Sequence, residues 1–136
     1  DWGGVTTQVQ DYAINGDNTK MYTNLNWVGV IFDTVYIDAS GMAYYHVDVY
    51  APLGDDFKLK FVSFPAALDG AGIESIELTF NADSTPAFTP GGWVSLDIPL
   101  ADFTPEDPNW DWSTLGQMVI SGSTKLVLVD NLYFHE

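Results

Sequence analysis

The sequence predicts an all-β protein: an antiparallel β-sandwich of the jelly-roll kind with eight to ten strands. Three observations carry that expectation. Short apolar stretches alternate with polar residues at period two, as side chains do across a strand. Clusters of Asn, Gly, Asp, Ser and Pro bound most stretches, as in Asn15-Gly16-Asp17-Asn18 and Asp38-Ala39-Ser40-Gly41. A helical period appears nowhere beyond one turn near residues 113–115. The chain has 136 residues, 46% of them hydrophobic and 15% aromatic, a globular composition. A chain near this size buries about 68–70% of its unfolded surface, so one core suffices. Residues 1–136 read as a single domain, without linker or internal repeat.

In chain order, residues 6–14 alternate through Val9, Tyr12 and Ile14 and end in the first turn cluster. Residues 22–32 form a second extended run with a change of parity. Met21 and Leu25 share one face, whereas Val28, Val30 and Phe32 share the other, which predicts a bulge near Asn26-Trp27 or a kink at Gly29. Residues 34–37 are a short β-branched stretch. In residues 44–52, Tyr45, Val47 and Val49 form a core face, and Tyr44, His46, Asp48 and Tyr50 form the other. Residues 57–64 follow. Within residues 73–80, Ile76, Leu78 and Phe80 are expected inward, opposite Ser75, Glu77 and Thr79. Residues 93–100 set Val94, Leu96, Ile98 and Leu100 against Trp93, Ser95 and Asp97. A loop broken by Pro105 and Pro108 delivers Trp110-Asp111-Trp112, and residues 116–121 and 125–134 are the last two strands.

Charge narrows the partners. Four Lys plus Arg face nineteen Asp plus Glu, a formal net charge of −15. Nucleic acid and anionic membrane would be repelled, so neither is an expected partner. A neutral ligand or a cation fits the surplus. There is no cysteine, which excludes disulfides and thiolate metal sites. No apolar run approaches the ~18 residues of a membrane helix, and the N-terminal residues have no signal-peptide pattern, which suggests a mature or excised domain. A monomer is expected.

The candidate functional residues are aromatic and amide. Sugar rings offer apolar C–H faces that aromatic side chains cover, and hydroxyl rims that Asn, Gln, Asp and His bond. Trp27, at the expected bulge, is a candidate platform, with Asn24 and Asn26 beside it; those two could equally satisfy backbone groups. Trp110 and Trp112 follow the acidic, proline-broken loop, where exposed functional residues concentrate. One of the two is expected to bind and one to pack, with Trp110 the more exposed. Tyr44, His46, Asp48 and Tyr50 read as the floor of the same surface, and Gln117 as an outward neighbour. Trp93 reads as mostly structural, and Trp2 either frays or folds back onto the sandwich. Catalysis has little support: no Gly-x-Ser-x-Gly elbow, no phosphate loop and no paired histidines for a triad are present. Asp48 with Asp97 is the best carboxylate pair for glycoside hydrolysis, yet nineteen acids supply many pairs by chance. Asp130 shares the parity of Leu126, Leu128 and Leu132 and is expected inward, where an unpaired carboxylate needs a metal or N–H donors.

Asn24-Leu25-Asn26-Trp27, His46-Val47-Asp48-Val49-Tyr50, Trp93-Val94-Ser95-Leu96-Asp97-Ile98-Pro99-Leu100 and Val129-Asp130-Asn131-Leu132-Tyr133-Phe134 occur in that order. In this the chain, from Asp17 to its end, resembles the non-catalytic β-sandwich modules attached to secreted bacterial glycoside hydrolases. It is most similar to modules beside laminarinase-like enzymes of Bacteroidetes, in the galactose-binding-like jelly-roll group. The resemblance implies a secreted or cell-surface bacterial carbohydrate-binding module. Its ligand would be a neutral polysaccharide, a β-glucan in the first instance, and its partner a linked glycoside hydrolase. It also implies a structural Ca²⁺, mapped onto Asp130 with Asp17 or Asp11. The alternative is a structural or protein-docking sandwich that binds no glycan, with Tyr44, Tyr50 and Trp110 as its apolar patch.

Overall fold

The computed structural model describes residues 6–32 and 35–136. Trp2 and the first residue of the 34–37 stretch lie outside them. The described residues form ten strands in two antiparallel sheets. These are β1 (Gln8–Ile14), β2 (Asp17–Thr23), β3 (Trp27–Ile31), β4 (Tyr44–Tyr50), β5 (Phe57–Ser63), β6 (Ile73–Glu74), β7 (Leu78–Phe80), β8 (Trp93–Pro99), β9 (Leu115–Ser121) and β10 (Leu126–His135). One sheet runs β1-β2-β10-β4-β8, and the other runs β3-β9-β5-β6 with β7 also on β5. A one-turn helix α1 (Leu100–Phe103) and two 3-10 turns, Ala66–Leu68 and Trp112–Thr114, complete the elements. The second turn lies where the sequence placed its one helical turn.

Local chemistry explains the first hairpin. Ile14 pairs with Asp17, leaving Asn15 and Gly16 as a two-residue loop. Both have positive φ (51° and 89°), as a turn matched to the strand twist demands and as Asn-Gly accepts at least cost. The parity change in residues 22–32 has a different origin from the bulge expected. β2 and β3 belong to different sheets, and the chain crosses between them at Asn24–Asn26. Asn24 takes a positive φ of 51° at this corner while Leu25 is fully buried.

β4 behaves as its alternation demands, with Tyr45, Val47 and Val49 at most 2% exposed. It lies between β10 and β8, and its Tyr45 ring meets Phe61 of the opposite sheet edge-on at 5.0 Å. The Tyr45 hydroxyl donates to the Met118 sulfur at 3.0 Å, tying the sheets together, and burial pushes its pKa up. Phe61 is the centre of the core, in ring contact also with Phe103, Trp112 and Phe134.

Two expectations about facing are corrected. Residues 73–80 are not one strand: the pairing breaks between β6 and β7, Ser75 turns inward and Ile76 is 47% exposed. The Ser75 hydroxyl accepts from the Phe61 amide and so replaces a ladder bond at the break. Asp130 does not point inward. Val127 and Val129 supply the core face of β10, which turns Leu126, Leu128 and Asp130 to the outer face. A half-exposed carboxylate there needs no buried counter-charge.

Candidate functional site

Outward residues of the β3-β9-β5-β6 sheet line up in rows across the strands. Ile31 pairs with Gln117, Gln117 with Val62, and Val62 with Glu74. The next row is Gly29, Val119 and Lys60, and the next Trp27, Ser121 and Lys58. These rows form the floor of an open groove of about 520 Å³, lined by Trp27, Gly29, Lys60, Val62, Phe64, Gly72, Glu74, Glu77, Gln117, Val119 and Ser121.

Absent side chains help make this groove. Gly29 removes any projection from the middle of β3, between Trp27 and Ile31. Phe64 stacks on Tyr36 with ring planes 4° apart, and its ring lies over Gly116 and Gly72. A Cβ on Gly116 would come within 2.5 Å of the Phe64 ring, and one on Gly72 within 2.7 Å of Val62. Those two glycines therefore set where the Phe64 ring rests.

The groove combines an indole, a phenyl ring and the apolar floor of Val62 and Val119 with a rim of hydrogen-bonding groups. Lys60 donates to Glu74 at 2.6 Å, so the one cation of the lining is already neutralised. The Ser121 hydroxyl donates to Glu77 at 3.5 Å. Gln117 has no hydrogen bond within the protein among the described side-chain contacts, which leaves its amide for a ligand. Such a site suits a ligand with apolar faces and hydroxyl edges, and the carboxylate of Glu77, left over from the Lys60–Glu74 pair, disfavours an anion.

Of the residues singled out in sequence, Trp27 and Gln117 line this groove. Asn24 and Asn26 stand at the crossing just before β3, where the hydroxyls of Thr6 and Thr7 bond their backbone groups. The Asn24 backbone carbonyl accepts from the Thr6 and Thr7 hydroxyls, and the Asn26 backbone N–H donates to Thr7 Oγ1 at 3.1 Å. Trp110 and Trp112 do not stand out from a loop tip. Both rings are half-buried, pack against the core and meet each other edge-on at 5.1 Å. The Trp112 ring also meets Phe61, and its N–H donates to Thr104. The sequence expected only one of the two to pack.

Tyr44, His46, Asp48 and Tyr50 lie on β4, facing outward from the opposite sheet, and so are no part of the groove's floor. Tyr44, His46 and Asp48 belong to a separate polar and stacked network, and Tyr50 tilts against Trp93. His135 Nε2 lies 2.8 Å and His46 Nδ1 3.3 Å from the same Asp97 oxygen. The His46 ring stacks on Tyr133 and the His135 ring on Tyr44. The His135 hydrogen bond holds the Asp97 carboxyl below its ordinary value, and the same bond raises His135. Burial pushes Asp48 up, but hydrogen bonds from Asn131, Ser95 and His46 outweigh it and hold the carboxyl below the usual range. Asp48 and Asp97, the best-placed carboxylate pair in sequence, are thus both occupied by donors.

Asp17 and Asp130, the residues mapped for calcium, line one small hollow of about 170 Å³ with Asp48 and Asn131. Among the described residues no three carboxylate or imidazole groups converge as a closed metal site. Hard oxygen ligands are present, but an ion held there would need backbone carbonyls and water to complete its shell.

The groove residues missed in sequence are Val62, Phe64 and Val119 above all. Their signal was present: β5 and β9 carry apolar residues at both parities, as in Phe61-Val62 and Met118-Val119-Ile120. A strand apolar on both faces with one face outward marks a covered or ligand-bearing surface.

No protein-family model matches the sequence, and no curated relative matches it. Solved structures do match it. The family 30 carbohydrate-binding module of a cellulosomal cellulase of Clostridium thermocellum shares 20% identity at a TM-score of 0.68, covering 97% of this chain and 83% of that one. The fold is that of carbohydrate-binding modules. A family 11 module from Clostridium thermocellum, solved in complex with a β-1,3-1,4-mixed-linked tetrasaccharide, gives 13% identity and a TM-score of 0.65 over 97% of this chain and 85% of its own. A module described as specific for non-crystalline cellulose gives 20%, 0.61, 100% and 86%. Among the described residues no helix is long and apolar enough to cross a membrane.

Proposed function

We propose that this chain is a non-catalytic carbohydrate-binding module that holds a neutral polysaccharide in the groove on its β3-β9-β5-β6 sheet. The observation that carries the reading is the meeting of Trp27, the Val62–Val119 floor and the unengaged Gln117 amide in one open groove. Stacking on the indole would supply most of the affinity, and hydroxyls bonded to Gln117, Glu74 and Glu77 would set orientation. A β-glucan is the favoured ligand. Fold neighbours solved with a mixed-linkage β-glucan fragment and described as cellulose-specific support that choice.

Binding of this kind serves a linked, secreted glycoside hydrolase by raising its effective concentration at the polymer. Affinity electrophoresis through laminarin, mixed-linkage glucan, xyloglucan and xylan tests the reading. Retardation that Trp27→Ala removes or weakens is expected, and no retardation of the unaltered protein in any gel would overturn it. A structural Ca²⁺ is proposed at Asp17 and Asp130, supported by the hollow the two share.

A further inference from the structure

The outer face of the β1-β2-β10-β4-β8 sheet holds a second set of rings that the groove does not use. Tyr12 on β1 and Trp93 on β8 stand on the two edge strands and are 46% and 45% exposed. Four strand spacings separate those edges, about 19 Å. Between them Met21, Leu128 and Tyr50 line a shallow trough of about 460 Å³ that takes in both outer rings. Trp93 tilts against Tyr50 at 5.8 Å, so its indole is propped rather than loose.

Polar groups adjoin this apolar strip. Trp93 also lines the hollow that contains Asp48, Asp130 and Asn131. The pairing of β10 with β4 slips between Asp130 and Tyr133, and Asn131 has a positive φ of 50°. That irregularity aims the Asn131 amide at Asp48, to which it donates at 2.7 Å.

We propose that this trough is a second glycan-binding site, taking a neutral polysaccharide chain on the face opposite the groove. Trp93 and Tyr12 cover the apolar faces of two sugar units, and sugar hydroxyls donate to the carboxylates beside Trp93. Three features select this occupant. A net charge of −15 repels anionic polymers. The aromatics lie beside hydrogen-bond acceptors, as hydroxyl-rich ligands require. Self-association through this face would bring Asp17, Asp48 and Asp130 of one copy near acids of the other. With two sites on opposite faces, one molecule bridges two chains.

The proposal rests on the glycan-binding reading but on different residues, and the test separates them. Unaltered protein, Trp27→Ala, Tyr12→Ala, Trp93→Ala and the combined variants are run through gels of mixed-linkage β-glucan, hydroxyethylcellulose and xylan, each variant checked for folding by circular dichroism. Turbidity of the same polysaccharides in solution is read in parallel. The expected result is that Trp27→Ala keeps residual retardation, that adding Tyr12→Ala and Trp93→Ala removes it, and that only the unaltered protein raises turbidity. If Trp93→Ala fails to fold, Tyr12→Ala, an exposed edge-strand change, carries the same comparison. Loss of all retardation in folded Trp27→Ala overturns the second site and leaves the groove reading intact. Retardation and turbidity unchanged by Tyr12→Ala and Trp93→Ala overturn it too. Retardation unchanged by Trp27→Ala but abolished by Tyr12→Ala with Trp93→Ala overturns the groove and supports the trough. Failure of the unaltered protein to bind in any gel overturns both. A concentration-dependent dimer that Trp93→Ala dissolves assigns the face to self-association and overturns the proposal.

Discussion

Replacing Trp27 by alanine is the most decisive perturbation of the groove. Trp27 begins β3, an edge strand, with its ring outward and half-buried along the groove. A sugar stacked on it would cover about 50–100 Å² of the indole, which at ~25 cal/mol per Å² is about 1.2–2.5 kcal/mol. That corresponds to a rise in Kd of roughly eight- to seventy-fold. The folding cost is smaller, because the side chain is not in the central core and alanine on an edge strand loses about 1 kcal/mol at most in strand preference. Isothermal titration calorimetry with the best-retained glucan, alongside a thermal melt, separates the two effects. Trp27→Phe, which keeps a smaller ring, should fall between the two proteins. A folded Trp27→Ala protein with an unchanged Kd would mean that no sugar stacks on the indole.

Other predictions follow from the same geometry. Gly116→Ala should weaken glucan binding severalfold by pushing the Phe64 ring away from its seat, visible as a changed calorimetric affinity; an unchanged affinity would mean that Phe64 does not bound the site. Phe61→Ala removes the ring at the centre of the core and should cost about 3–5 kcal/mol in a chemical denaturation curve. The contact of His135 with Asp97 should depend on pH. The raised His135 adds stability below its ordinary value of 6.5, lost as pH climbs through the folded value. The lowered Asp97 adds stability above its ordinary 3.8, lost as pH falls through the folded value, so the pair is strongest between the two. In an NMR titration the His135 midpoint should lie above 6.5 and drop in Asp97→Asn; a midpoint indifferent to that change would contradict the pairing. Chelation with EDTA should lower the melting temperature if Asp17 and Asp130 hold Ca²⁺, and an identical melt would remove the metal from the account.

The alternation of β4 and β8 was legible because each strand has one apolar and one polar face, and Tyr45, Val47, Leu96 and Ile98 stand where that pattern puts them. Even the pairing of His46 with Asp97 was foreshadowed by the shared polar character of those strands. What the pattern lacks is any statement of which sheet a strand joins. That depends on contacts distant in sequence, and it separates Tyr44–Tyr50 from the groove by the thickness of the sandwich. Asp130 was misplaced for a related reason: Leu126, Val127, Leu128 and Val129 are all apolar, so period two carries no facing information there. Trp110 and Trp112 read as loop residues because their partners, Phe61 and Thr104, come from elements that only the fold brings together. The change of parity at Asn24–Asn26 was visible, but a crossing between sheets and a bulge within one sheet leave the same local trace.

Binding of a glucan chain on the β3-β9-β5-β6 face is open to direct observation. A ¹⁵N-¹H correlation titration with a mixed-linkage β-1,3-1,4 tetrasaccharide tests it most directly. The Trp27 indole N–H, the Gln117 side-chain amide and the backbone amides of Val62 and Val119 are expected to shift together along one binding isotherm. Those signals standing still through the titration would contradict it.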